Sequence, residues 1–345
     1  MCGETKIMQT IEQCKEKYER YKAAGLKLDM SRGKPSADQL DLSRALLSQP
    51  GQEESCLLEN GFDCRNYGLP AGLPAMRALF ADILGVRPEN VIAGGNSSLN
   101  IMFDTVAQAY SRGVCGEKPW CGEKVKFLCP VPGYDRHFGI TEYFGVEMIN
   151  IPIGADGPDM DAVERYVEND ASVKGIWCVP KYSNPTGVTY SDETVRRFAR
   201  LNPKAADFRI YWDNSYVLHD IGDTPDSLLN LYAEAEACGN EDIVFLFTST
   251  SKITFPGAGV ACVAASPKNI DWMLRRIQYQ TIGPDKLNQL RMDEASRLLL
   301  ETDQPIESIA RQIGVENTKY FFVLFKKFKG MTPRQFRCKA ETSPL

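Results

Sequence analysis

Histidine is nearly absent from this chain of 345 residues, which has only His137 and His219. That shortage excludes a His-rich metal site and leaves a Ser-His-Asp triad little to draw on. Long apolar runs are missing too, and no uninterrupted stretch could span a bilayer. The first residues, "MCGETKIMQTIEQCKEKYERYKAAG", are charged throughout and read as an amphipathic helix rather than a secretion signal. A cytoplasmic location is expected. The cysteines number 11, an odd count without framework spacing. The pairs Cys115/Cys121 and Cys56/Cys64 fit no zinc signature, so reduced thiols and no metal are expected. Between Lys319 and Lys339 no acidic residue occurs, while seven basic ones do.

What is present divides at residues 284–305, "PDKLNQLRMDEASRLLLETDQP". Residues 286–345 carry 11 Lys+Arg against 7 Asp+Glu, within a chain whose net charge is −5. An acidic body thus precedes a basic tail, and only the tail suits nucleic acid. Apolar residues make up 43% and charged residues 25%, ordinary values for a globular protein with room for two domains.

In the body, strand-like runs alternate with helical patterns. "NVIAGG" (90–95) precedes a helix with Leu99, Met102, Phe103, Val106, Ala107 and Tyr110 at helical spacing. Further strands are read at 124–130, 146–153, 173–180, 208–216, 242–252 and 259–266. Short continuous apolar strands between helices predict a mostly parallel α/β sheet, whose ligands bind where strands end.

Polar clusters fall at those ends. In "GGNSSLN", Ser97 and Ser98 either bond an anion at a helix N-terminus or simply cap the helix. "PKYSNPTGV" makes a good turn and also fixes Asn184 at a strand end. In "YWDNSYVLHD", Asp213 follows a strand directly, as a helix cap or a cation's partner, with Tyr216 three residues on. In "FTSTSKITFPGAG", Lys252 is ringed by Thr248, Ser249, Thr250 and Ser251. Hydroxyls can hold phosphate while an amine forms a Schiff base with an aldehyde.

Taken together and in this order, these clusters resemble the fold-type I pyridoxal phosphate (PLP) aminotransferases over roughly residues 5–291. "SRGKPS" (31–36) and "NYGLPAGLPAMRALF" (66–80) resemble the atypical aspartate aminotransferase branch. The resemblance implies a three-layer α/β/α large domain over 46–285 and the N-terminal part of a small domain over 1–45. It implies PLP as cofactor, bound covalently by Lys252, which also moves the substrate proton. Asp213 would pair with the ring nitrogen, and Tyr216 and Asn184 would hydrogen-bond the ring oxygen. Tyr134 would stack on the ring, while Ser97, Ser98, Ser249 and Ser251 would hold the phosphate. Tyr67 would reach the phosphate of the neighbouring subunit in a homodimer, and Gly33 would lie beside the substrate. One departure is evident: "FPGAGVA" (255–261) lacks the arginine that usually pairs with the phosphate.

From 286 to 345 the pattern is all helical. A joining helix leads to "PIESIARQIGV", ended by Gly314, and then to "ENTKYFFVLFKKFKG", ended by Gly330. In "TPRQF", Thr332 caps, Pro333 takes the first helical position and Gln335 completes a capping box. The bare pattern fits a helix-turn-helix or a small packing element with a solvated basic face. Over its whole length the segment resembles the second helix-turn-helix of AraC/XylS-type regulators. That implies DNA as a partner, with Asn317, Thr318 and Lys319 near base edges and Lys326 and Lys327 at phosphates.

Each half is expected to be incomplete. The tail holds one helix-turn-helix unit where such regulators carry two. The body passes into the tail near Arg291, before the part of an aminotransferase that completes the small domain and grips the substrate α-carboxylate. Arg334 and Arg337 are replacements only by charge. No Gly/Ser- or Pro-rich linker separates the halves. Three readings follow: a transaminase scaffold, a metabolite-sensing transcription regulator, or an inactive chimera.

Overall fold

The computed structural model describes residues 10–25, 27, 36–41, 43–48, 56–220 and 225–292. Gly33, Asn317, Thr318, Lys319, Lys326 and Lys327 lie outside them. The chain divides into two compact units, residues 1–37 and 38–345. In the first, α1 (Ile11–Ala23) opens on a reciprocal capping box between Thr10 and Gln13.

Helix α2 (Ala37–Asp41) falls at the division, and a single-turn helix at Arg44–Ser48 follows in the second unit. Next come α3 (Pro74–Leu84), β1 (Val91–Ala93), α4 (Ser98–Arg112), β2 (Lys126–Val131) and α5 (Asp135–Tyr143). Then follow β3 (Glu147–Gly154), β4 (Gly157–Pro158), α6 (Met160–Asn169), β5 (Val173–Cys178) and α7 (Asp192–Ala199). The series continues with β6 (Arg209–Asp213), α8 (Leu231–Ala237), β7 (Val244–Ser249), β8 (Ala261–Ala265) and α9 (Pro267–Gln280). A further helix, α10, runs from 286 to at least 292.

Among the described residues the strands form one sheet of eight in the order β1-β8-β7-β6-β5-β2-β3-β4. Pairs β7/β6, β6/β5, β5/β2 and β2/β3 are parallel. β8 is antiparallel to both β7 and β1, and β4 is antiparallel to β3. The reversed β8 therefore leaves β1 running the same way as β7. The carboxyl ends of β1, β2, β5, β6 and β7 all reach one edge.

Alternation along the strands feeds two apolar layers. Tyr211, Phe245, Phe247 and Val263 point to one face, against Met102 and Val106 of α4 and Ile270 and Met273 of α9. Ile210, Trp212, Leu246 and Cys262 point to the other, against α3, α6, α7 and α8 through residues such as Phe80, Val163, Phe198 and Tyr232. The expected three-layer α/β/α architecture is the one found. Truncating one of the large buried aromatics, Phe198 for example, typically costs about 3–5 kcal/mol. Gly175 marks the tightest crossing in the sheet, because a Cβ there would meet the Phe127 ring at 2.5 Å.

Strand ends differ from the sequence reading mainly at the functional edge. β6 stops at Asp213, and β7 gives way at Thr250 to a 3-10 turn that carries Lys252. The α4 face is also turned from the expected one. Thr105 and Gln108 are buried, while Leu99, Phe103 and Tyr110 are only half-buried. Those two polar residues are tolerated because Thr105 Oγ1 donates to Met102 O and Gln108 Nε2 donates to Trp272 O.

Candidate active site

Because five carboxyl ends share one edge, four separate sequence clusters meet there. The cleft they form, about 210 Å³, is lined by Ser97, Ser98, Tyr134, Asn184, Asp213, Tyr216, Ser249, Ser251 and Lys252. Leu99, Val179 and Ser215 complete the lining. Nine of the residues singled out in the sequence are therefore neighbours. Tyr67 is not in this wall; it is 75% exposed on the surface of its own chain.

Asp213 lies at the floor, 5% exposed. A buried carboxylate needs partners, and each of its oxygens has one. Ser215 Oγ donates to Oδ1 at 2.6 Å, and His137 Nε2 lies 3.0 Å from Oδ2. An ionised carboxylate can only accept, so it is Nε2–H of His137 that faces it. His137 is itself fixed by stacking on Trp177, with centroids 4.8 Å apart and planes 15° apart. Tyr134, the residue before α5, meets the same imidazole edge-on at 5.1 Å.

The reactive side of the cleft lies above. Lys252 is exposed, its Nζ 5.9 Å from the centre of the Tyr216 ring. Burial pushes the Tyr216 phenol upward, and the Asp213 charge adds to that. Tyr216 thus stays a hydrogen-bond donor across the neutral range. Asn184 is exposed at the turn after β5.

The remaining wall is made of hydroxyls. Ser97 caps α4, its Oγ accepting loosely from Asn100 N at 3.4 Å, and Ser98 opens the helix. Both alternatives raised for this pair are therefore compatible, since the cap also lines the cleft. Ser249 accepts from Ser251 N at 3.4 Å, and Ser251 Oγ donates to Asn96 O at 3.1 Å. Among the described residues lining the cleft, Lys252 is the single cation. Val260, in the stretch lacking the usual arginine, is buried.

This donor set fits pyridoxal phosphate. A buried carboxylate suits a protonated ring nitrogen, and a phenol and an amide suit the ring oxygen. An amine suits the aldehyde, and hydroxyls at the start of a 15-residue helix suit the phosphate.

The comparisons with known proteins agree with this geometry. The profile of the aspartate amino-transferase family matches residues 3–311. The chain belongs to the aspartate aminotransferase family. An aspartate aminotransferase of Corynebacterium glutamicum is 47% identical over 281 residues, covering 81% of this chain and 65% of the relative. A crystal structure of an aspartate transaminase from that organism superposes with a TM-score of 0.77 at 43% identity, covering 90% of this chain and 71% of that one. The chain thus spans about two thirds of the length of such relatives. A helix-turn-helix domain profile matches residues 285–339. There, the Escherichia coli regulator Rns is 46% identical over 50 residues, 14% of this chain and 19% of its own. An aspartate aminotransferase-type domain is therefore joined to an AraC-type helix-turn-helix segment.

For this aminotransferase-family chain, sequence reasoning passed over two residues that the site uses. The sequence reading takes His137 only as one of two histidines, too few for a His-rich metal site. Its signal is its place three residues after Tyr134, which caps the helix that carries it. Ser215 lies two residues beyond Asp213, where a hydroxyl folds back easily onto a carboxylate. Among the described residues no helix is long and apolar enough to cross a membrane, and no side-chain group could hold a metal ion.

Proposed function

We propose that this chain binds pyridoxal 5′-phosphate on Lys252 and transfers amino groups, with aspartate or glutamate as donor class and a 2-oxo acid as acceptor. The observation that carries the reading is the placing of buried Asp213 and exposed Lys252 in one cleft with five serines. When bound, PLP supplies an electron sink for the bonds at the substrate α-carbon. Asp213 accepts a hydrogen bond from the ring N–H, and His137 and Ser215 keep its carboxylate in place. Tyr216 Oη–H and the Asn184 amide donate to the ring oxygen. Lys252 Nζ would take the proton from the substrate α-carbon and deliver it to the carbon of the cofactor's aldehyde. Tyr134 would cover a ring face, and Tyr67 would serve the partner's cleft in a homodimer.

We read residues 1–45 as part of a small domain, 46–285 as the large domain and 286–345 as the joining helix and helix-turn-helix. For the substrate α-carboxylate, Arg334 and Arg337 are candidates by charge alone.

The deciding experiment is borohydride reduction of the purified chain after incubation with PLP, followed by peptide mass analysis. A pyridoxyl adduct on Lys252, lost in Lys252→Ala together with any transamination, is expected. Full transaminase activity in Lys252→Ala would overturn the mechanism.

A second reading is favoured by the helix-turn-helix match over 285–339. In it the chain is a DNA-binding regulator, with Asn317, Thr318, Lys319, Lys326 and Lys327 on the duplex and the PLP cleft sensing an amino acid.

A further inference from the structure

Helix α10 is where the helix-turn-helix match begins, yet its described residues are built into the α/β body. Leu287, Leu290 and Met292 pack on the apolar layer that holds α3 and α8. Two consecutive side chains do something more specific. Gln289 is fully buried and Asn288 nearly so. Gln289 Oε1 accepts from Leu73 N at 2.7 Å, while its Nε2 donates to Ala93 O at 3.1 Å. Asn288 Nδ2 donates to Gly259 O at 2.8 Å.

The two carbonyls so held belong to the two loops that carry the serines. Ala93 ends β1 and leads through Gly94 and Gly95 to Ser97 and Ser98. Gly259 closes the loop that leaves Ser249, Ser251 and Lys252 and returns into β8. The loops are also sewn to each other: Gly94 N donates to Ala261 O, Ala261 N to Gly95 O and Ser251 Oγ to Asn96 O. Gly72 shows how tight the clamp is. A Cβ there would come within 2.6 Å of Ala93 O and 3.1 Å of Gln289 Oε1.

We propose that Asn288 and Gln289 are positioning residues for the phosphate end of the cleft, setting the spacing between its two serine loops. The proposal rests on the PLP reading given above. Hydrogen bonds to a doubly charged phosphate depend strongly on donor placement, and among the described residues no guanidinium lines the cleft to compensate for misplaced hydroxyls. The residues that set this placement come from the helix shared with the tail.

The test separates the phosphate from the rest of the cofactor. PLP and, separately, pyridoxal are titrated into the full-length chain, and Schiff-base absorbance is followed for wild type, Gln289→Met and Asn288→Ala. Gln289→Met keeps the side-chain length and removes its hydrogen bonds to Leu73 N, Ala93 O and Gly94 O. Each variant is expected to weaken PLP by about tenfold, the loss of one charge-assisted hydrogen bond. Pyridoxal binding should stay within about twofold of wild type, since pyridoxal has no phosphate for the serines to hold. Equal weakening of both aldehydes would mean general loosening and would overturn the proposal, as would no change in either. If Gln289→Met fails to fold, Asn288→Ala alone decides by the same comparison. A wild-type chain that forms no Schiff base on Lys252 defeats the cofactor reading itself, and this inference with it.

Discussion

At the residue scale the site depends on how Asp213 is held. Its carboxylate is almost out of contact with water, and one hydroxyl and one imidazole N–H are its named donors. His137→Phe would keep a ring against Trp177 and remove the N–H. We expect this to destabilise the chain by about 1–3 kcal/mol, the usual cost of leaving a buried acceptor short of a donor. Urea unfolding of the apo chain measures it; an unchanged midpoint would show that Ser215 alone satisfies Asp213. Asp213, Tyr216 and Lys252 are legible in the sequence because each lies at, or three residues beyond, the end of an apolar strand. His137 was not, because its role depends on α5 lying across the end of β6, a contact between residues 76 positions apart.

At the scale of elements, the joints that brace the sheet are polar and local. Asp170, at the end of α6, accepts from Ser172 Oγ at 2.6 Å, from Ser172 N at 2.9 Å and from Lys126 Nζ of β2 at 2.9 Å. The Ser172 hydroxyl, then Lys126, then the Ser172 N–H hold its carboxyl down at about 2. A depressed carboxylate adds stability that is complete above its unfolded value, about 3.9, and is lost as pH falls through its folded value. The stability difference between wild type and Asp170→Asn, followed by urea midpoints, should therefore be constant near pH 5 and shrink from about pH 4 towards about pH 2. A difference independent of pH would show that the carboxylate's charge plays no part. The rotation of α4 belongs to this scale too. Helical spacing identified an amphipathic helix, but which flank is covered was settled by α9, whose Trp272 carbonyl takes up the Gln108 amide.

At the scale of the whole molecule, an acidic aminotransferase-type body carries a basic C-terminal segment. If that segment binds DNA as proposed, affinity should fall linearly with the logarithm of salt concentration. Replacing Lys319 or Lys326 by Ala should reduce the slope by about one counterion each. Gel shifts against duplexes selected from a random pool, read between low and moderate salt, test this. Binding unchanged by deletion of 292–345 would refute a role for the tail.

The sequence by itself determined the α/β class, the strand order along the chain and the residue types at each strand end. Apolar period and turn chemistry are local properties, and local spacing records them. It also located the change of character near residue 286. Tertiary structure alone decided that β8 runs backwards, so that the loop after β1 opens at the same edge as Asp213 and Lys252. It decided as well that His137 closes on Asp213, and that Asn288 and Gln289 buckle the serine loops. These contacts join residues far apart in the chain, through groups whose partners no local spacing specifies. Only the closure of the sheet and its helices brings them within hydrogen-bonding distance.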